Sequence, residues 1–328
     1  MNLNLFPKLS ETILSSLNGA KDILIMSHLN PDGDCVFSSI AAKLILEKLN
    51  KNITLVNIGP FSSPTIAKYE NYFLSEIPEE LLEKKPLLLT LDCAAFDRLG
   101  PGIEDKVKDL KKIVIDHHAT GKSFTSEDLE YIVPASPSNT LLIEQLRIAL
   151  NVETDYEIAK FLYMGFATDT GFYHFITEEN GADSLRVVAD FVSAGVSPYD
   201  VYDELTDGRS FSSLEELSEL LKRVKQLKDG KVLYTYKKKD DDMSLSSTGI
   251  LYKYLLEVEN VKLVLFFKEK EDSTVVGFRA KNKAGLDVGK LASVFTGGGH
   301  RLAAGATVKK GLDETIKDVL DYILPIIG

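Results

Sequence analysis

The chain has 328 residues, 44% of them hydrophobic, two cysteines and a net charge of −11. That length supports a large core divided over two domains. The acidic balance argues against wrapping long duplex nucleic acid, which demands many Lys and Arg contacts to phosphate. Cys35 and Cys93 lie too far apart in sequence to suggest a disulfide scaffold. They read as small buried thiols before soft metal ligands, and they fit a reducing cytoplasm. No membrane association is expected, because the longest apolar runs, "ILIM" and "PLLLTL", are far too short to span a bilayer. The N-terminal stretch lacks the basic start and apolar core of a signal peptide.

In chain order, "DILIMSH" reads as a strand and "CVFSSIAAKLILEKLN" as a helix. "ITLVNIG", "PLLLTLD" and "KKIVIDHH" read as strands, and "SNTLLIEQLRIAL" and "DYEIAKFLYMGFATDTG" as helices. This alternation predicts an α/β domain over residues 1–207, a parallel sheet with helices on both faces. In such sheets ligands bind at the carboxyl ends of the strands. "SFSSLEELSELLKRVKQLKDG" reads as one amphipathic helix with a serine-rich capping region, within a helical linker over 208–230. Residues 231–328 mix strands ("KVLYTYKKK", "VKLVLFFKEK", "TVVGFRAK", "AGATVKK") with helices, as a smaller mixed α/β domain.

Ionisable residues gather at the predicted strand ends. In "SHLNPDGDC", Ser27 to Cys35, the turn is crowded by His28, Asp32 and Asp34. Gly33 permits a tight bend there and Pro31 stiffens the approach. Charged groups beside a buried strand need compensation. On this stretch alone a helix cap by Asp34 and a bound cation are both open. "PLLLTLD" ends on Asp92, and "KKIVIDHH" on Asp116, His117 and His118, so three of the chain's five histidines fall at such ends. Asp169 in "GFATDTG" sits at a predicted helix C-terminus, where a carboxylate meets the negative end of the dipole. A local rule broken in that way often marks function.

Imidazoles and carboxylates suit Mn²⁺, Mg²⁺ or Fe²⁺ better than a structural zinc, and Co²⁺ tolerates similar ligands. The carboxylates suffice for two ions, which together can activate a water and clamp a phosphoryl group. Metal-assisted phosphoester hydrolysis is therefore the reaction class these residue types indicate. In the C-terminal half, Gly297, Gly298 and Gly299 would let backbone N–H groups approach an anion. His300 and Arg279 would add donors to a phosphate.

"HLNPDGD", the strand end at Asp92, "DHH" and "TDTG" resemble, in order, the four N-terminal motifs of the DHH phosphoesterase family. "GFRAK…LDVGKLASVFTGGGHRLAAG" resembles the DHH-associated domain with its Gly-Gly-Gly-His signature, so the resemblance covers almost the whole chain. It implies two divalent ions, Mn²⁺ foremost. His28 and Asp32 would bind one, Asp34, His117 and Asp169 the other, and Asp92 would bridge them. His118 would stand beside the reacting phosphoryl group as hydrogen-bond donor or general acid, with Asp116 orienting the histidines.

The nanoRNase type of the family is the nearest resemblance. It implies hydrolysis of short oligoribonucleotides to 5′-mononucleotides and dephosphorylation of 3′-phosphoadenosine 5′-phosphate. A cyclic-di-AMP or pApA phosphodiesterase shares the same motifs and is the alternative. A homodimer is implied by the resemblance alone. Two residues depart from the pattern: Phe37 stands where relatives carry a small residue, which puts local packing and access to the first metal in question. His174 in "FYHF" has no counterpart and reads as structural or peripheral.

Overall fold

The computed structural model describes residues 6–118, 125–126, 129–177, 181–208, 210–243, 248–299 and 301–327. The chain divides into two compact units, Met1–Gly208 and Arg209–Gly328.

The first unit holds a five-stranded sheet of β1 (Asp22–Met26), β2 (Asn52–Val56), β3 (Leu87–Leu91), β4 (Lys112–Asp116) and β5 (Glu130–Ile132). All neighbours are parallel, in the order β2-β1-β3-β4-β5. Its helices are α1 (Glu11–Gly19), α2 (Gly33–Glu47), α3 (Pro64–Ala67), α4 (Glu79–Glu83), α5 (Ile103–Val107), α6 (Asn139–Ala149), α7 (Tyr156–Asp169), α8 (Gly181–Ser193) and α9 (Pro198–Thr206). The apolar strands alternate between two cores, because successive side chains of a strand point to opposite faces. Ile23 and Ile25 join the large core with residues of α1, α2, α6 and α7. Leu24 and Met26 face the other way, onto Leu81 of α4 and Ile103 and Val107 of α5. The parallel sheet is thus covered on both faces, as the alternation of elements predicts.

β1 lies between β2 and β3, so the chain leaves it in one direction and returns on its other side. The carboxyl ends of β1 and β3 therefore frame a topological switch point, where open α/β sheets bind ligands. The departure at Phe37 is resolved in the core. Its ring is fully buried, edge-on to Tyr69 at 5.0 Å and stacked on Phe161 at 6.1 Å.

The second unit comprises α10 (Phe211–Lys222), β6 (Lys225–Leu227), β7 (Val232–Lys237), α11 (Thr248–Glu257), β8 (Leu263–Glu269), β9 (Thr274–Ala280), α12 (Val288–Ser293), β10 (Gly298–Gly299), β11 (Ala303–Val308) and α13 (Leu312–Ile323). Its mixed sheet runs β10-β11-β9-β8-β7-β6, with only β7 and β8 parallel. The segment read as a linker contributes α10 and β6 to this unit. Ser210 caps α10 by accepting from Ser213 N at 3.2 Å. The helix ends at Lys222, however, and does not run on to Asp229. Lys228, Asp229 and Gly230 all take left-handed backbone angles and fold β6 back onto β7 as a hairpin. Among the described residues no helix is long and apolar enough to cross a membrane.

Candidate metal centre

The centre is assembled from four segments that follow β1, β3, β4 and α7. Just after β1, His28 is buried, and its Nδ1 donates to Leu29 O at 2.8 Å. A carbonyl only accepts, so Nδ1 carries a proton and Nε2 is the nitrogen turned toward the acids. That nitrogen lies 3.4 Å from Asp92 Oδ2 and 4.0 Å from Asp32 Oδ2. After β4, His117 is fixed in the same way. Its Nδ1 donates to Ser136 O at 3.1 Å, and its Nε2 lies 3.3 Å from Asp92 Oδ1, 3.6 Å from Asp169 Oδ2 and 3.7 Å from Asp34 Oδ2. His118 turns its Nδ1 to Asp116 Oδ1 at 2.8 Å, with Asp92 Oδ1 at 3.3 Å.

Asp92 is thus the common neighbour of three imidazoles. It is buried and holds a left-handed backbone angle of 57° at the end of β3. Such a conformation is costly for a non-glycine residue and persists where the surroundings dictate it.

The structure decides which aspartate of this turn caps the helix. α2 begins at Gly33, and its cap is Asp32, whose Oδ1 accepts from Cys35 N at 3.0 Å. Asp34, in the first turn of the helix, is buried and reaches across to α6, accepting from Thr140 N at 3.0 Å and from Asn139 N. Those are donors at a helix N-terminus, a favourable place for a carboxylate. Gly165 of α7 makes this approach feasible, since a Cβ there would collide with Thr140 and lie 3.1 Å from Asp34 Oδ1.

Asn139 is a contributor that motif reading does not reveal. With its side-chain amide turned so that Nδ2 faces Ile115 O at 3.1 Å, Asn139 would accept from Asp92 N at 3.2 Å. The only local signal is the Ser138 cap that begins α6.

Among the described residues, ligand atoms converge in three groups: His28, Cys35 and Asp92; Asp92, His117 and His118; and Asp34, His117 and Asp169. Asp32 lies outside them, with its side chain 59% exposed. Cys35 joins the first group, although burial pushes its thiol well above the ordinary range. His174 is exposed and packs edge-on against Phe175 at 4.9 Å, in no such group. Arg279 and Gly297 to Gly299 belong to the second unit, and His300 lies outside the described residues.

The electrostatics show what the cluster wants. Burial, then the charges of Asp169 and Asp92, pushes Asp34 well above the carboxylate range. Burial raises Asp169 to about 6, with Asp92 and Asp32 adding to the shift and His117 opposing it. Against the opposing effect of burial, Asp92, Asp34 and Asp169 drive His117 up to about 10. Asp116 and Asp92 do the same for His118. Without a cation the centre holds protons to offset its acids. Asp92 Oδ1 and Asp116 Oδ2 are buried and accept no hydrogen bond in ordinary geometry from the described residues. A buried carboxylate oxygen left in that state is expensive unless a cation completes it. The donor set, mostly carboxylate and imidazole, fits a divalent cation of intermediate hardness.

The chain is similar to known proteins along nearly its whole length. A model of the DHH family, N-terminal domain, matches residues 22–166, and a model of the DHHA1 domain matches residues 229–327. The chain belongs to the DHH family and is a phosphoesterase, an enzyme of the hydrolase class. It is 29% identical to the bifunctional oligoribonuclease and PAP phosphatase NrnA of Thermus thermophilus, over 96% of this chain and 93% of that protein. Its fold is similar to that of an exopolyphosphatase-related protein from Bacteroides fragilis, with a TM-score of 0.82 at 22% identity over 97% and 96% of the two chains. RecJ from Thermus thermophilus, solved in complex with Mn²⁺, has a TM-score of 0.60 at 15% identity, covering 99% of this chain and 56% of that one.

Proposed function

We propose that this phosphoesterase depends on two divalent ions, Mn²⁺ foremost. On this reading it hydrolyses short oligoribonucleotides to 5′-mononucleotides and removes the 3′-phosphate from 3′-phosphoadenosine 5′-phosphate. The observation that carries the reading is Asp92, buried among the ring nitrogens of His28, His117 and His118 at 3.4, 3.3 and 3.3 Å. His28, Asp32 and Asp92 would hold one ion, and Asp34, His117, Asp169 and Asp92 the other. Bound divalent ions would supply Lewis-acid polarisation of the phosphoryl oxygens and acidify a water.

The chain's own groups do the rest. Leu29 O and Ser136 O lock the tautomers of His28 and His117, so that each presents Nε2. Asp116 holds His118 by two hydrogen bonds, from the backbone N at 3.0 Å and from Nδ1 at 2.8 Å. That leaves His118 Nε2 as the proton donor to the leaving 3′-oxygen. The support for the substrate is the resemblance to the Thermus enzyme along nearly the full length of both chains. Both cysteines are free thiols, in keeping with action in the reducing cytoplasm.

The test is a substrate panel with Mn²⁺: RNA of two to five nucleotides, 3′-phosphoadenosine 5′-phosphate, pApA, cyclic di-AMP and pyrophosphate. Release of 5′-mononucleotides from the RNA, and of AMP and phosphate from 3′-phosphoadenosine 5′-phosphate, is expected. Turnover of neither overturns the reading, and faster turnover of cyclic di-AMP would redirect it to cyclic dinucleotides.

A further inference from the structure

Of the proposed metal ligands, Asp169 has the weakest anchorage. His28 and His117 are fixed through Nδ1, and Asp34 by two backbone N–H groups. Among the described residues no hydrogen bond from another segment fixes the Asp169 carboxylate, which meets His117 Nε2 at 3.6 Å with its side chain 29% exposed. Asp169 is also the last residue of α7, where helices fray and where the dipole opposes a negative charge. What holds it in place is therefore the backbone that carries it.

That backbone turns in an uncommon way. A Schellman motif closes α7, with Phe172 N donating to Ala167 O at 2.8 Å and Gly171 N to Thr168 O at 3.2 Å. Such a cap needs one left-handed residue, and glycine supplies it. Here three follow in a row: Gly171 at 55°, Phe172 at 52° and Tyr173 at 74°. Two of them carry large side chains, for which this conformation is costly, so the surroundings must enforce it. Tyr173 N donates to Thr170 Oγ1 at 3.2 Å. The Phe172 ring stands edge-on to Tyr202 of α9 at 4.8 Å. The Tyr173 ring packs against Phe166 of α7 at 5.9 Å, and its hydroxyl shares a hydrogen bond with that of Tyr163. Tyr163 is buried in the core, where a hydroxyl needs a partner. The bond joins residues ten apart in the chain, and Asp169 lies inside the loop it closes.

We propose that the Tyr163–Tyr173 hydroxyl pair is a positioning device for Asp169. By pinning the left-handed turn back onto α7, it holds the end of the helix, and with it the carboxylate, toward His117. This deepens the metal centre proposed above and rests on it. Neither tyrosine would touch the ion, and both act through Asp169. Groups that orient a metal ligand from behind commonly carry about 10- to 100-fold in metal affinity.

The experiment measures Mn²⁺ binding to the full chain by isothermal titration calorimetry, without substrate. It compares wild-type protein with Tyr163→Phe, Tyr173→Phe and the double variant. Wild-type protein is expected to bind two ions. In Tyr173→Phe one of the two is expected to bind about tenfold more weakly, the lower end for a group that orients a metal ligand, while the other keeps its affinity. Tyr163→Phe should match it. The double variant should be no weaker than either single one, because the same bond is lost in all three. It also leaves no buried hydroxyl unpaired, so it reports on the bond even where a single variant folds poorly. Unchanged affinities in all three variants, equal weakening of both ions, or additive losses in the double variant overturn the positioning role and leave the two-ion reading standing. Fewer than two ions on the wild-type protein overturns the two-ion reading, and this inference with it.

Discussion

The two units solve opposite electrostatic problems. In the first, carboxylates and imidazoles crowd a buried point and hold protons until a cation arrives. In the second, Lys268 and Arg279 border one cleft that no acid among the described residues lines, and they rest on aromatic rings. The contrast teaches that the sign of a site's missing partner can be read from what its own side chains lack. The first centre is incomplete without positive charge and the second without negative charge.

The largest expected effect comes from breaking the first centre. Asp92→Ala removes the one group next to all three imidazoles, and a loss of about 10³-fold in kcat/KM is expected, the upper scale for one preorganised electrostatic group. Steady-state assays on short RNA with Mn²⁺ measure it, and full activity would remove Asp92 from the centre. Arg279→Met strikes the second unit and should act differently. KM rises about tenfold, as for loss of one charge-assisted contact, with far less change in kcat. A fall in kcat of the Asp92→Ala size would erase the distinction between the two regions.

The smallest effect concerns the metal-free protein. His117 and His118, raised to about 10, bind protons more tightly folded than unfolded. Their contribution to stability is full below about pH 6.5 and is lost as pH rises toward 10. Asp169, raised to about 6, acts in the same direction at lower pH. Chelated protein should therefore melt several degrees lower at pH 8.5 than at pH 6.5. Protein with Mn²⁺ should show a smaller difference, because bound metal replaces those protons. Calorimetry with and without chelator decides it, and a metal-free melting point that rises with pH would refute the assignment.

Much of the first centre was legible because its residues are punctuation. His28, Asp92, Asp116, His117 and His118 follow apolar runs, and such runs in a parallel sheet end on one side. Short apolar runs between helical patterns placed those strands. The helix read over Ser210–Gly230 failed because its amphipathic pattern continues past Lys222, while the left-handed turn at Lys228–Gly230 returns the chain as a strand. The Gly297–Gly299 run also carries a second duty. Carbonyls of β11 leave no room for a Cβ on Gly297 or Gly299, so close strand pairing already requires them, and Gly298 alone faces open space.

By itself the sequence determined which residue types reach the sheet's carboxyl edge, since periodicity and strand ends are local properties. Tertiary structure decided how each is used. Asp32 and Asp34 sit two positions apart in one turn, and nothing local tells them apart. Asp32 caps its own helix, while Asp34 binds the start of a helix more than a hundred residues away. The same holds for Asn139 beneath Asp92 and for Phe37 against Tyr69 and Phe161. A hydrogen bond or a ring contact depends on position in space, and packing between distant segments sets that position.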